Sequence, residues 1–515
     1  MNKTTMPTSR IEFRSLLLSD ISDIQPSSDV TISGVCDDSR QIQPGDAFLC
    51  MPRTATDAEL FTRKAMENGA TAVITVAKSL NTDLPLLQLP DMDAVGKMLR
   101  KLLGTESFNI DCVGITGTDG KTSVAWMLRE ALSRHFDLAW STGTLGLVRG
   151  DSDISDIGNT TPSLMTSHQL MQCAMKEGVD ALVMEVSSHG IEQKRIAALP
   201  MNTAIWTNLG HDHLQDHGGF DSYATLKESF IIQTVEQGGI AICNADDKTI
   251  RKLMARSHTA THWYAHGLYS NQSNNQAANE SAGDNIDLTW EQELPGMVRF
   301  SYQGEEIRIE DIPVGEFHAE NLAAVALTLM VRFNVKFEDL SKILDGISTP
   351  PGRMQSLDIG RWQVFIDYAH TPEALSRCLE TARNLARNRL MVVFGCGGNR
   401  DREKRPEMGH AAVTMADVVW ITSDNPRNEA PELIASEIEN GMPKPYPADV
   451  SLELDRKQAI NQAIDAMLPG DLLVIAGKGH EAYMEIEDHR FEWSDFDIAV
   501  DALHDKEDRR MRLCA

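Results

Sequence analysis

Long hydrophobic runs are missing from this 515-residue chain. No stretch approaches the roughly 20 apolar residues that a membrane-spanning helix needs. The segment Met1 to Arg10 has no apolar core of the kind a secretory signal carries. Positive charge is scarce: 48 Lys and Arg face 75 Asp and Glu, a formal net charge of −27. That balance argues against nucleic acid and anionic membrane surfaces as partners. Paired cysteines are missing too. Cys36, Cys50, Cys112, Cys173, Cys243, Cys378, Cys396 and Cys514 are scattered, several inside apolar strand-like runs. They read as buried thiols of a cytoplasmic protein rather than a disulfide framework or a zinc site.

What is present divides into three α/β blocks. A small N-terminal block, 1–106, alternates strand-like runs (Ala47 to Met51, Ala72 to Val76) with helix-like ones (Glu59 to Asn68, Met92 to Leu103). A central block, 107–350, carries β-branched apolar runs that fit buried parallel strands at Ala181 to Val186, Thr203 to Leu209 and Gly239 to Asn244. Within it, Ser270 to Asp284 reads as a surface insertion. Pro350-Pro351-Gly352 marks a hinge. The C-terminal block, 351–515, repeats strand-to-loop patterns at Val364, Leu390, Val418 and Leu472, as a Rossmann-like sheet would.

Chemistry is concentrated first at Cys112 to Ser123. A short apolar run breaks into Gly117-Thr118-Asp119-Gly120-Lys121-Thr122-Ser123, and helix-compatible sequence follows at once. Strand, glycine loop and helix in that order make a P-loop-type phosphate cradle. Backbone N–H groups and the helix N-terminus face the anion, Lys121 adds charge, and the Thr122 hydroxyl can ligate Mg²⁺. The strict Gly-x-x-x-x-Gly-Lys-Thr spacing is not met, since Ile115 occupies the first glycine position. The chain is therefore expected to use a nucleoside triphosphate. Glu185 and His213 end two other presumed strands and could complete a metal site. Equally, His211, His213 and His217 could be no more than a polar loop.

Six motifs then occur in order: Gly117 to Thr122, Glu185-Val-Ser-Ser-His-Gly190, Thr207-Asn-Leu with Asp212-His-Leu, Asn244-Ala-Asp-Asp247, Asp367-Tyr-Ala-His-Thr-Pro372 and Gly477-Lys-Gly-His-Glu481. With Asp38-Ser-Arg40 ahead of them, this set resembles the Mur ligase family, which builds the peptide stem of bacterial peptidoglycan. Within that family it is most similar to ligases that add the third amino acid to UDP-N-acetylmuramoyl-L-alanyl-D-glutamate.

The resemblance implies ATP and Mg²⁺ as cofactors and an acyl phosphate as intermediate. It implies that Gly117 to Ser123, Asn321, Arg353, Asp367 and His370 hold ATP. Thr122, Glu185, His213 and Lys227 would bind metal, Lys227 after carbamylation by CO₂; an exposed helix lysine is the alternative. Ser39, Asn159, Thr160, Thr161, Ser187, Gln193 and Arg195 would grip the UDP-muramoyl dipeptide. Asp424-Asn425-Pro426-Arg427 is similar to the motif that selects meso-diaminopimelate, with Arg400, Gly477 and Glu481 around it. A second zwitterionic centre calls for a guanidinium and an acidic group, and a lysine pocket would have no use for Arg427. A solvated loop arginine is the alternative for Arg427. The chain departs from the family at Asp119 and His318, each where asparagine is usual, at Gln215-Asp216, and at Met51 to Leu60, which lacks the usual His-Gly and Asp-Gly pieces.

The expectation is thus a monomeric cytoplasmic ATP-dependent ligase of small molecules. A related ligase acting on another carboxylate or amino acid, such as lysine, is the competing reading. A non-catalytic nucleotide-binding protein is a weaker one, disfavoured by Lys121, Glu185, His213 and Lys227 occurring together.

Overall fold

The computed structural model describes residues 8–51, 55–107, 110–150, 153–210, 219–267 and 286–514. The expected insertion at Ser270 to Asp284 and the histidines 211, 213 and 217 lie outside them. The chain forms two compact units. One comprises Met1–Trp290, Phe300–Glu306 and Asn321–Ile343, and the other Glu291–Arg299, Ile307–Glu320 and Leu344–Ala515.

The first unit holds two sheets. The N-terminal sheet runs Arg10–Leu17, Thr31–Cys36, Asp46–Cys50, Ala72–Thr75, Leu86–Gln88, its first pair antiparallel and the rest parallel. The helix Met92–Leu103 covers one face with Val95 and Leu99; Leu164, Met165 and Ala197 from the following segment join the same core. This shared apolar packing makes the N-terminal and central segments one compact body.

The central sheet contains seven parallel strands in the order Ala139–Gly143, Ala181–Glu185, Asp111–Thr116, Thr203–Trp206, Ile240–Asn244, Thr261–His266, Leu288–Leu294. Most of their residues are buried, as strands covered on both faces require. Two neighbours flank the strand that leads into the glycine loop, and the register sets Ile115 opposite Glu185. Residues at these C-terminal ends therefore share one crevice, where open α/β sheets bind ligands.

In the second unit the sheet order is Gln355–Ile359, Trp362–Asp367, Leu472–Ala476, Leu390–Phe394, Val418–Ile421, Asp449–Leu452; only the first pair is antiparallel. Alternate residues feed two cores. Phe365, Val392 and Val474 pack with Leu379, Met408 and Ile434, while Val364, Val393 and Ile475 pack with Ile460, Ile464 and Leu503. Helices on both faces of a parallel sheet give the expected Rossmann-like layering. The Pro350-Pro351-Gly352 turn lies inside this unit. A Cβ at Gly352 would collide with the His480 backbone nitrogen, so the turn is tightly packed, and the two units divide a few residues earlier, at Ile343 and Leu344.

Among the described residues no helix is long and apolar enough to cross a membrane, and seven cysteines are free thiols.

One close approach fixes how the central helix Phe220–Glu236 meets the sheet. A Cβ on Gly114 would stand 2.5 Å from Phe230 Cζ, and Phe230 is buried. Gly114→Val is expected to destabilise by roughly 1–3 kcal/mol through overpacking. Adding Phe230→Leu should recover part of that loss. Urea denaturation of the single and double variants checks both; simple additivity would contradict the packing.

Candidate active site

The strand Asp111–Thr116 ends in the glycine loop, and the helix Lys121–His135 starts from it. Gly120 has φ +83°, a conformation open to glycine at little cost. Substitution there would also press on Asn321, whose Oδ1 stands 2.5 Å from where a Cβ would be. Gly117 leaves no room beside Thr207. The loop is braced from the next strand: Thr207 Oγ1 donates to the Asp119 carbonyl (2.6 Å), and the Asp119 N–H donates to Asn208 Oδ1 (2.8 Å). The Asp119 side chain is exposed. Lys121 Nζ donates to the carbonyls of Gly117 (2.9 Å) and Thr118 (2.7 Å), so its ammonium hangs over the loop.

Glu185 is the buried anion of this crevice, 1% exposed. Its carboxylate accepts from Thr122 Oγ1 (3.0 Å), from the Thr144 N–H (2.8 Å) and from Thr144 Oγ1 (3.2 Å). Gly143 makes the room, since a Cβ there would overlap the carboxylate. Among the described residues no three His, Cys, Asp or Glu side chains cluster to hold a metal. An all-oxygen pair of one hydroxyl and one carboxylate nevertheless fits Mg²⁺, which usually takes one or two protein ligands and fills its shell from phosphates and water. Lys227 is buried rather than exposed on its helix. Its Nζ donates to Gly117 O (2.8 Å) and Thr116 Oγ1 (3.3 Å) and stands 4.6 Å from the Tyr223 ring centre. His213 lies outside the described residues.

Around Glu185 the other expected substrate residues meet. Thr161 Oγ1 donates to the Glu185 carbonyl (2.9 Å) and contacts Ser187 Oγ (3.0 Å). Arg195 donates to the Thr161 carbonyl (2.7 Å) and to Gln193 Oε1 (2.8 Å). Thr160 Oγ1 lies 3.2 Å from Thr144 Oγ1, while Asn159 is exposed. Ser39 is buried in the N-terminal sheet's loop, its carbonyl accepting from Asn68 Nδ2 (2.8 Å). Sequence reasoning missed Thr144 and also Asp37. Ser163 Oγ donates to Asp37 Oδ2 (3.1 Å) and caps the helix Leu164–Glu177, so this pair ties the Ser39 loop to the Asn159-Thr160-Thr161 segment. Burial pushes the Asp37 carboxyl up to about 6.

In the second unit, Asp367 accepts from the backbone N–H groups of Met354 and Ala369 (2.7 Å each). Burial raises its pKa despite Arg353 nearby. Arg353 stacks over Tyr368 at 4.6 Å, and His370 Nδ1 contacts the Tyr368 carbonyl (3.0 Å). Among the described residues, Arg353 Nε, both ring nitrogens of His318 and His480 Nδ1 are buried without hydrogen-bond partners. Burial, reinforced by Arg353, lowers His318 to about 3 and His480 to about 4, so both are neutral at pH 7. Unpaired polar atoms gathered in one place suit a polar ligand.

Near these groups the strand ends at Ile421 and Ala476 build a charged pocket. Asp424 and Asn425 are buried, and a Cβ on Gly477 would stand 2.7 Å from Asp424 Oδ2. Asn425 Nδ2 donates to Glu481 Oε2 (2.8 Å). Arg427, at φ +51°, is no freely solvated arginine: Nε donates to Glu485 Oε2 (3.0 Å) and Nη1 to the Gly398 carbonyl (2.9 Å). Arg400 is exposed on the adjoining loop. Two buried arginines outside the expected set brace this pocket. Arg405 pairs with Glu429 (2.9 Å) and Glu437 (2.7 Å) and donates to the Gly397 carbonyl (3.0 Å). Arg456 pairs with Asp495 (2.7 Å), both fully buried, and donates to the carbonyls of Ser423 (3.2 Å) and Ala476 (2.9 Å).

This arrangement has close counterparts. Residues 115–329 match the Mur ligase middle domain, and residues 352–479 match the Mur ligase, glutamate ligase domain. The chain belongs to the Mur ligase family. A Mur ligase from Syntrophomonas wolfei, named UDP-N-acetylmuramoyl-L-alanyl-D-glutamate–2,6-diaminopimelate ligase, is 35% identical over 485 residues, covering 93% of this chain and 96% of its own. A UDP-N-acetylmuramyl-tripeptide synthetase 2 from Oceanobacillus iheyensis is 32% identical over 92% of this chain and 95% of its own. A solved structure of a UDP-N-acetylmuramoyl-L-alanyl-D-glutamate–2,6-diaminopimelate ligase aligns with TM-score 0.67 and 27% identity, covering 96% of this chain and all of that one.

The raised Asp37 carboxyl has a stability consequence. A carboxyl at about 6 in the folded protein and near 3.8 unfolded favours folding fully below about pH 3.8. That contribution is lost as pH rises through about 6. Asp37→Asn should therefore gain stability relative to wild type at pH 7.5 and show little gain at pH 4. Denaturant titrations at the two pH values test this, and an equal effect at both would contradict it.

Proposed function

We propose that this Mur ligase joins meso-diaminopimelate to the D-glutamate γ-carboxylate of UDP-N-acetylmuramoyl-L-alanyl-D-glutamate, using ATP, as a monomeric cytoplasmic enzyme of peptidoglycan precursor synthesis. The observation that carries the amino-acid choice is the pocket of Arg427, Asn425, Asp424 and Glu481, which offers a guanidinium and carboxylates in one place. The 35% identical relative bearing that substrate in its name supports the same choice.

A carboxylate is a poor electrophile, and phosphorylation makes its carbonyl reactive. The γ-carboxylate oxygen attacks the ATP γ-phosphorus, releasing ADP and leaving an acyl phosphate. The amine of the amino acid then adds to the carbonyl, and phosphate departs as the nitrogen loses its proton. Lys121 exchanges its loop carbonyl contacts for phosphate oxygens, and the loop N–H groups with the start of the helix Lys121–His135 take the remaining charge. Thr122 and Glu185 would hold Mg²⁺, which would supply charge neutralisation to the phosphates. Carbamylation would convert buried Lys227 from a cation into an oxygen ligand for a second ion beside the loop. Arg353, Asp367 and His370 bind the nucleotide, and Thr161, Ser187, Gln193 and Arg195 orient the muramoyl dipeptide.

Phosphate release with UDP-muramoyl dipeptide and ATP, in the presence of diaminopimelate, lysine or no amine, tests the reading. Release that requires diaminopimelate is expected; release with lysine alone would assign another amino acid. Lys121→Ala should lower kcat by roughly 10²-fold or more. Arg427→Ala should raise the diaminopimelate KM by about 10–100-fold, the loss of a charge-assisted contact, with the ATP KM unchanged. An unchanged diaminopimelate KM would overturn the pocket assignment.

A further inference from the structure

The pocket holds a cation that the reaction scheme leaves unused. Lys478 is fully buried just past the strand Leu472–Ala476. Its Nζ donates to Asn425 Oδ1 (2.9 Å) and Glu481 Oε2 (3.0 Å) and stands 3.8 Å from Asp424 Oδ1. An ammonium has hydrogens to give and no lone pair to offer. The atom of the Asn425 amide that meets it must therefore be the oxygen. A second donor agrees, because the Glu485 backbone N–H also reaches Asn425 Oδ1 (2.9 Å). Turning the amide over would set its NH₂ group against an ammonium and an N–H together. Three hydrogen bonds, two of them charge-assisted, would be lost at once, since the Nδ2 bond to Glu481 goes too.

Chemical consequences follow for Asn425. Both lone pairs of its oxygen are occupied. One hydrogen of Nδ2 goes to Glu481 Oε2 (2.8 Å), which leaves one N–H and no acceptor. Such an amide can bind a carboxylate and cannot bind an ammonium.

We propose that Lys478 is a positioning residue that sets amino-acid selectivity: it locks Asn425 as a pure hydrogen-bond donor, so that Asn425 with Arg427 reads the distal carboxylate of the incoming amino acid. The distal ammonium then falls to Asp424 and Glu481. This inference rests on the diaminopimelate reading of the pocket. Without Lys478 the Asn425 oxygen keeps one donor, the Glu485 N–H, and gains a free lone pair that can accept from an ammonium, while Glu481 loses its buried counter-charge. Selectivity for a distal carboxylate should then collapse.

The test uses three amines: diaminopimelate, lysine without the distal carboxylate, and 2-aminopimelate without the distal amine. KM is measured for each, or the inhibition constant where an amine is not turned over. Lys478→Met should lower the preference for diaminopimelate over lysine at least tenfold, through the diaminopimelate KM, with the ATP KM within twofold of wild type. A merely structural loss would reduce the active fraction and leave the preference unchanged, which would overturn the proposal. Asn425→Asp keeps both acceptor contacts and removes the N–H. It should weaken diaminopimelate and 2-aminopimelate at least tenfold and spare lysine. Retained binding of both carboxylate-bearing amines would overturn the proposal, and this arm decides alone if Lys478→Met does not fold. Wild-type enzyme with no response to diaminopimelate would sink the underlying reading together with the inference, a result distinct from either variant outcome.

Discussion

Among the described residues the buried Glu185 carboxylate accepts only from neutral donors, and the central crevice turns on that constraint. Glu185 sits 1% exposed and is held by two hydroxyls and one backbone N–H. Hydrogen bonds of that kind orient a carboxylate without cancelling its charge, and an uncompensated buried charge is costly. The surrounding architecture answers this demand. The parallel register places Glu185 beside the glycine loop, Thr122 shares its oxygen face, and Lys121 and Lys227 bring positive charge to the same loop.

The second unit solves the opposite problem. Its pocket contains several charges of both signs, and each buried one already has a protein partner. Lys478 is paired with Glu481, Arg405 with Glu429 and Glu437, and Arg456 with Asp495. Removing one member of such a set leaves the other stranded, so these groups act as fixed geometry more than as net stabilisation. Fixed geometry is what discrimination between similar amino acids requires, because a site with pre-set donors rejects a ligand that cannot use them.

Features encoded over short stretches were legible in the sequence. The strand, glycine loop and helix at residues 111–135 follow from local apolar patterning and from glycines that leave room for Thr207 and Asn321. Fully buried β-branched runs correctly indicated parallel strands. Family motifs then pointed to residues that the fold gathers into clusters, Thr161 with Ser187 and Arg195, Asn425 with Glu481. Partners supplied by sheet order were not legible. Thr122 and Glu185 are 63 residues apart and Ser163 and Asp37 126 apart, and no periodicity announces such pairs. Lys478 lay inside a recognised motif, yet its partners Asp424 and Asn425 come from a loop more than 50 residues earlier. Proline and glycine at Pro350-Pro351-Gly352 signalled a turn without saying that it is packed against the His480 backbone.

The Arg456–Asp495 pair also bears on how the protein is made. Arg456 ties the carbonyls of Ser423 and Ala476, and so both strand ends of the pocket, to a carboxylate 39 residues downstream of itself. A chain still emerging from the ribosome has all the pocket strands before it has Asp495. Until that residue arrives, closing the sheet would entomb a lone guanidinium. Loss of Asp495 would therefore leave Arg456 as a buried, unpaired guanidinium beneath both strand ends.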